Sequence, residues 1–295
     1  MKRVSGVGFQ VSGKAWNTLT LLSLAIVVVF VLTALVGEGL YQWYRWKDVT
    51  PPYQVQDLAQ AYLPPGPGHW LGTDGLGRDV GLRLVQGARI AFQVGVVTSC
   101  IAIPIGLLLG LLAGYFRGWV DDLIVWLYST FASIPGLLFI LAIAMVVGKG
   151  LLGVYLGIGL TTWVGVCRLV RAETLKHRER PYIQAARVLG FGSPRILFRH
   201  LLPNVFHVVI VAFTLRFPAS IGTEVFMSFL GIGVQGEPSW GVMINNARAR
   251  LWQGVWWEMT FVTVAVFLVV LALNLLGDAL RDALDPRLRG EPPRS

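Results

Sequence analysis

The sequence predicts an all-α integral membrane protein with six transmembrane helices and both termini in the cytoplasm. Composition, apolar stretches and the missing strand pattern carry that prediction. Hydrophobic residues make up 55% of the 295 and charged residues only 14%, with mean hydropathy +0.63. Soluble domains carry about 25% charge, so a soluble enzyme, a coiled coil and a disordered chain are all disfavoured. Six long stretches run almost free of Asp, Glu, Lys and Arg. Nothing in them alternates as the strands of a membrane barrel do.

A bilayer-crossing helix takes about 20 mostly apolar residues. Between Lys14 and Glu38 lie 23 uncharged residues, too long a run for a cleaved signal peptide. Residues 1–37 are therefore expected to hold a cytoplasmic N-terminus and an uncleaved first span. Residues 38–87 come next as an outer segment. In it, Gly72 to Asp79 reads as an ordered turn whose Asp74, Arg78 and Asp79 pair locally before an amphipathic lead-in helix. Residues 88–278 carry the other five spans. Uncharged windows of 27, 26, 18 and 19 residues lie after Arg89, Asp122, Lys149 and Glu258, and the stretch Leu201 to Gly236 is broken only by Arg216 and Glu224. Residues 279–295 form a cytoplasmic tail whose helix ends at Asp285-Pro286, because proline disfavours helix at the residue before it.

Orientation is set by the basic residues. With the N-terminus inside, sixteen lysines and arginines fall on inner segments and eight on outer ones. The same bias accounts for the net charge of +9 without a nucleic-acid partner; the partner is the lipid bilayer. Trp240, between spans five and six, is expected at the interface.

No catalytic, cofactor-binding or metal-ligating set emerges. His69, His177, His200 and His207 are scattered, and Cys100 and Cys167 fall inside spans, where thiols serve as small hydrophobes. Gly8-Phe9-Gln10-Val11-Ser12-Gly13-Lys14-Ala15 approaches a phosphate-binding loop but lacks the closing hydroxyl that ligates magnesium. A pump built on this chain takes its ATP from elsewhere.

Gly106, Gly110, Gly114 and Gly118 recur every four residues, as do Gly153 and Gly157, making flat stripes for close helix packing. Pro104, Pro135 and Pro218 lie inside spans and bend them, as hinges or as static kinks. Arg216 and Glu224 are eight residues apart, about 80° on a regular helix, and so share a side that packs another helix or lines a path. Glu224 also leaves open a reading as an ion-coupled secondary carrier.

The basic loop 168–204 is the most informative segment. Pro181 to Leu189 forms a short helix with proline in its first turn, and Gly190 stops it. Ser193 is expected to cap a second short helix, which Pro203 ends. Ala185 and Ala186 are then small enough for a partner to approach. Gln184-Ala185-Ala186, Gly190, Ile196 and Leu202-Pro203 resemble the E-A-A…G…I-x-L-P loop of ABC importer permeases, with Gln184 where glutamate is usual. His69 to Asp74, Leu76 to Val80, Gly114 to Phe116, Gly118 to Asp122, Ser133 to Gly136, Glu224, Ser228 to Gln235, Pro238 to Gly241, Asn274 to Asp278 and Leu280 to Leu288 are similar to the C-type permeases for dipeptides, oligopeptides and nickel. The resemblance implies a type I importer bundle in an inner membrane. It implies a second homologous permease, two cytoplasmic ATPase subunits that dock on loop 168–204, and a substrate-binding protein outside. It implies import of peptides or similar small solutes, with no covalent chemistry by this chain.

Overall fold

The computed structural model describes residues 18–284. The near-phosphate loop at 8–15, the anchor Lys14 and the Asp285-Pro286 stop lie outside the described residues. Among the described residues there is no strand, only two isolated β-bridges in the segment ahead of the second span.

Helix α1 spans Thr18–Lys47 and α2 spans Val80–Phe116. At 1.5 Å per residue α2 is about 55 Å long, so the lead-in helix is continuous with the second span. Asp79 caps α2, accepting from Leu82 N at 2.8 Å. Asp74 accepts from the backbone of Leu76 and Arg78 and from the Arg78 side chain, so the local pairing expected of this turn is present.

The third charge-free window does not form one helix. It splits into α3, Gly118–Ser133, and α4, Gly136–Val147, bent by 90°. Pro135 forces Ile134 into extended backbone (ψ 132°) and ends α3 there. The six expected spans are five helices plus this bent pair, which makes six when the pair counts as one span. The fourth span is α5, Leu151–Thr161, followed after Thr162 by α6, Trp163–Arg178.

Helix α7, Pro181–Val188, is the short cytoplasmic helix expected from the sequence. The chain beyond it departs from expectation. Ser193 makes no capping bond, and Pro203 does not end a helix. Instead α8, Ser193–Arg195, runs through a wide π-turn, Ile196–Leu201, into α9, Leu202–Phe229. The π-turn shifts the ladder by one residue, Leu202 N–H donating to Leu197 O, and this lets Pro203 enter the helix without a donor of its own. Helices α10, Trp240–Arg248, and α11, Trp257–Leu284, complete the chain.

The glycine stripe lies against α6. A Cβ on Gly106 would sit 2.6 Å from Val166 Cβ, on Gly110 2.8 Å from Cys167 O, and on Gly114 2.6 Å from Thr174 Cβ. Gly118 leaves the stripe: at φ +54° it starts α3, and nothing approaches it. Gly157 likewise admits Ile140 O of α4. Across α3 and α6 a two-pronged ion pair joins Asp121 to Arg171 at 2.6 and 2.7 Å. Trp240 is not at the interface. It is buried on Gly87, with its indole N–H on Leu84 O at 3.1 Å, because α10 folds back into the bundle. Cys167 is buried and Cys100 exposed, both as free thiols.

The seam makes a direct prediction. Gly110→Leu drives a side chain into the α6 backbone, which no rotamer change relieves, and should lower the unfolding midpoint in detergent by at least about 5 °C. Gly222→Ala, on an exposed turn of α9 with nothing within 4 Å, should be neutral or slightly stabilising in the same fluorescence-detected melt.

Candidate functional site

Helix α7 hangs beneath the bundle on a turn at Glu179 and Arg180 and has two unlike faces. Ile183 and Ala186 point inward and are buried at 0% and 3% exposure. They pack in one cluster with Leu111 and Tyr115 of α2, Val166 and Val170 of α6, Ile196, Leu197 and Leu201 of the π-turn, and Val205 of α9. Gln184, Ala185, Arg187, Val188 and Leu189 face out, Val188 at 88% and Leu189 at 71%. Of the two alanines expected to face a partner, Ala185 is exposed and Ala186 is buried. One helical residue turns the chain by 100°, so if Ala185 is outward Ala186 lies over the bundle, where only a methyl fits.

The turn after α7 is closed by Gly190 at φ +78°, a conformation that L side chains resist. Gly190 N–H donates to Arg187 O at 2.9 Å, and Phe191 N–H reaches back to Ala186 O at 3.0 Å. Phe191 then stacks on His200, their ring centroids 5.8 Å apart. Arg187 lies over the Tyr115 ring at 5.3 Å, and Gln184 donates to Glu179 O at 3.2 Å. Tyr182 OH meets His177 Nδ1 at 2.9 Å; burial pushes its phenol above the ordinary value, against the pull of Arg180, so it stays a neutral hydroxyl. Ile196 is buried, Leu202 half-buried and Pro203 exposed. Loop 168–204 thus carries an exposed apolar ridge on a base fixed to three helices.

Arg216 and Glu224 are not brought together. Arg216 of α9 donates to Thr162 O, the carbonyl freed where α5 gives way to α6, and Gly165 leaves room for its guanidinium. Glu224 is fully buried. Its Oε1 accepts from Ser228 Oγ at 2.7 Å, and that hydroxyl in turn accepts from Val234 N at 2.9 Å, folding the loop after α9 back onto its own helix.

A family model described as binding-protein-dependent transport system inner membrane component matches residues 106–290, which include the whole of this elbow. The chain belongs to that family. It is 37% identical over 276 residues to the dipeptide transport system permease protein DppC of Bacillus subtilis, covering 92% of this chain and 83% of that one. It is 39% identical over 248 residues to the glutathione transport system permease protein GsiD of Pectobacterium atrosepticum, covering 83% and 82%. With the oligopeptide transport system permease protein OppC of Bacillus subtilis it shares 33% over 274 residues, 92% and 87% of the two chains. Among solved structures, a chain of the inward-facing MetNI methionine ABC transporter superposes with TM-score 0.55 at 19% identity, over 68% of this chain and 96% of that one. That likeness is one of fold. The chain is an inner-membrane permease subunit, and neither its fold nor its relatives support the ion-coupled carrier.

Composition and spacing do not single out Arg89 of this permease. It is buried and joins three elements: Glu38 at 3.5 Å and the Tyr41 ring at 3.8 Å on α1, and Glu237 in the loop before α10. Gln93 donates to the same Glu38 oxygen, Oε2, at 2.7 Å. An arginine at the edge of an apolar window looks like a snorkelling anchor, and its acidic partners stand 51 and 148 residues away.

The two faces of α7 separate by substitution. Ala186→Asp places a carboxylate in an apolar cluster that offers it no cation, and should lower the melting midpoint or abolish recovery of monodisperse protein. Ala185→Asp, one residue earlier, should melt within about 2 °C of the parent in the same assay.

Proposed function

We propose that this permease passes small peptides or similar small solutes inward along a path shared with a second, related permease. Hydrolysis of ATP in two separate cytoplasmic subunits, docked on α7, drives it. An extracytoplasmic binding protein delivers the cargo. The observation that carries this reading is the split of α7 into an exposed ridge at Ala185, Val188 and Leu189 and an inner face keyed into α2, α6 and α9. A partner gripping the ridge moves the ends of three spans together. The cargo class rests on the relatives, named for dipeptides, glutathione and oligopeptides. In this reading α7, the start of α1 and the end of α11 face the cytoplasm, and the segment 48–79 and α10 face the other side.

The break between α3 and α4 supports the placing of the path. Irregular backbone at membrane depth is tolerated where it is covered by protein or faces water, not lipid. Residues 132–138 are exposed in the isolated subunit, so the second permease or the path itself covers them in the assembly. Arg216, half-buried on α9, is the charged side chain we place at the edge of that path; Glu224 is assigned to holding the loop after α9.

The test is independent of cargo. Val188→Asp with Leu189→Asp removes two exposed apolar contacts, each worth about 1.5–3 kcal/mol when buried in an interface, and adds charge. Tagged permease carrying both changes should still bring down a related permease from native membranes, while recovery of two ATPase subunits falls at least about tenfold. Undiminished ATPase recovery would remove α7 as the docking helix.

A further inference from the structure

At the end of the bundle away from α7, a cavity of about 430 Å³ opens between the segment before α2, helix α10 and the start of α11. That volume lies in the range of roughly 300–1,000 Å³ typical of small-molecule sites. Tyr62, Asp74, Arg78, Asn246, Arg250 and Glu258 line it.

The charges in this cavity are only partly matched. Asp74 is used up: its Oδ2 is 2.7 Å from Arg78 Nη2 and 3.4 Å from Arg83 Nε. Glu258 is different. It is only 3% exposed in the first turn of α11, it makes no ion pair among the described residues, and its Oε1 has no hydrogen-bond donor. A buried carboxylate oxygen without a donor costs free energy until something supplies one. Arg250, on the rim, spends one guanidinium nitrogen on Gln253 at 3.0 Å and rests over the Tyr62 ring at 5.4 Å. Its other donors stay available beside the Asn246 amide. A lone cation would answer Glu258 but meet Arg78, Arg83 and Arg250; a lone anion would answer Arg250 but leave Glu258 Oε1 without a donor. A molecule with an ammonium at one end and an acid group at the other answers both.

We infer that this cavity binds a small zwitterion, its ammonium on Glu258 and its acid group on Arg250 and Asn246. The chemistry has two sources, a free α-amino acid or dipeptide and the headgroup of phosphatidylethanolamine. The inference stands on the cavity's own groups and does not require that peptides be the cargo.

Glycylglycine titrated into the full chain, in nanodiscs of phosphatidylglycerol alone, should bind by calorimetry. Glu258→Gln and Arg250→Gln should each weaken it at least about tenfold. N-acetylglycine, which lacks the ammonium, should bind weakly to the parent and be indifferent to Glu258→Gln. If discs containing phosphatidylethanolamine suppress the signal in the parent, the zwitterion site stands and its natural occupant is the headgroup. No heat with glycylglycine in phosphatidylglycerol discs, from parent protein that melts cooperatively, overturns the inference. So does binding that both variants leave unchanged. Arg250 is exposed, so its variant keeps the test decisive even if Glu258→Gln fails to fold.

Discussion

The seam between α2 and α6 is the contact on which the rest of the structure depends. Lipid tails are as apolar as leucine, so two spans gain little by burying hydrophobic surface on each other; they gain by close packing. Gly106, Gly110 and Gly114 let the α6 backbone approach until there is no room for a methyl group along three turns. Two helices in such contact cannot slide or roll independently without opening a void. Just below the seam, Ile183 and Ala186 of α7 enter the cluster formed by Leu111 and Tyr115 of α2 and Val166 and Val170 of α6. The short helix is therefore a handle on a stiff pair. A loosely packed pair would leave α7 on a soft base; this one gives it a rigid one.

The far end of the bundle is held by different forces. There Arg89 ties α1 to the loop before α10, Glu224 and Ser228 fold back the loop after α9, and Asp74 binds Arg78 and Arg83 ahead of α2. Charge-assisted bonds are directional and lose much of their worth when partners part by an ångström or two, whereas apolar packing falls off with area. The far end therefore adds directional polar contacts to its own apolar cluster of Val80, Trp240, Met243 and Trp257.

The sequence already contains most of the fold, because the bilayer imposes simple rules. Charge-poor windows locate every span, and glycine spacing locates the seam. Pro181 and Gly190 set the limits of α7 through φ preferences that no tertiary contact overrides. The failures share a cause. Pro135 is legible as a bend, but whether a span merely kinks or turns by 90° depends on what receives α4, here the Gly153 and Gly157 face of α5. Trp240 reads as interfacial because nothing local foretells a slot at Gly87, more than 150 residues away. The 80° between Arg216 and Glu224 assumes a regular helix with one lining side. Each residue instead answers a separate local demand, the Thr162 carbonyl for one and the Ser228 hydroxyl for the other.

Which face of α7 looks outward is within reach of the sequence. The run Ile183-Gln184-Ala185-Ala186-Arg187-Val188-Leu189 places two apolar residues at 183 and 186 and two more at 188 and 189. Small size at 185 and 186 suggests two neighbours serving one partner, although adjacent helical residues point 100° apart. The i, i+3 pair Ile183 and Ala186 is the stripe of an amphipathic helix lying on its own bundle. Val188 and Leu189 fall outside that stripe and are left without cover by this chain. On a helix of eight residues with its inner face already assigned, this valine and leucine remain as an apolar patch that the rest of the chain does not cover.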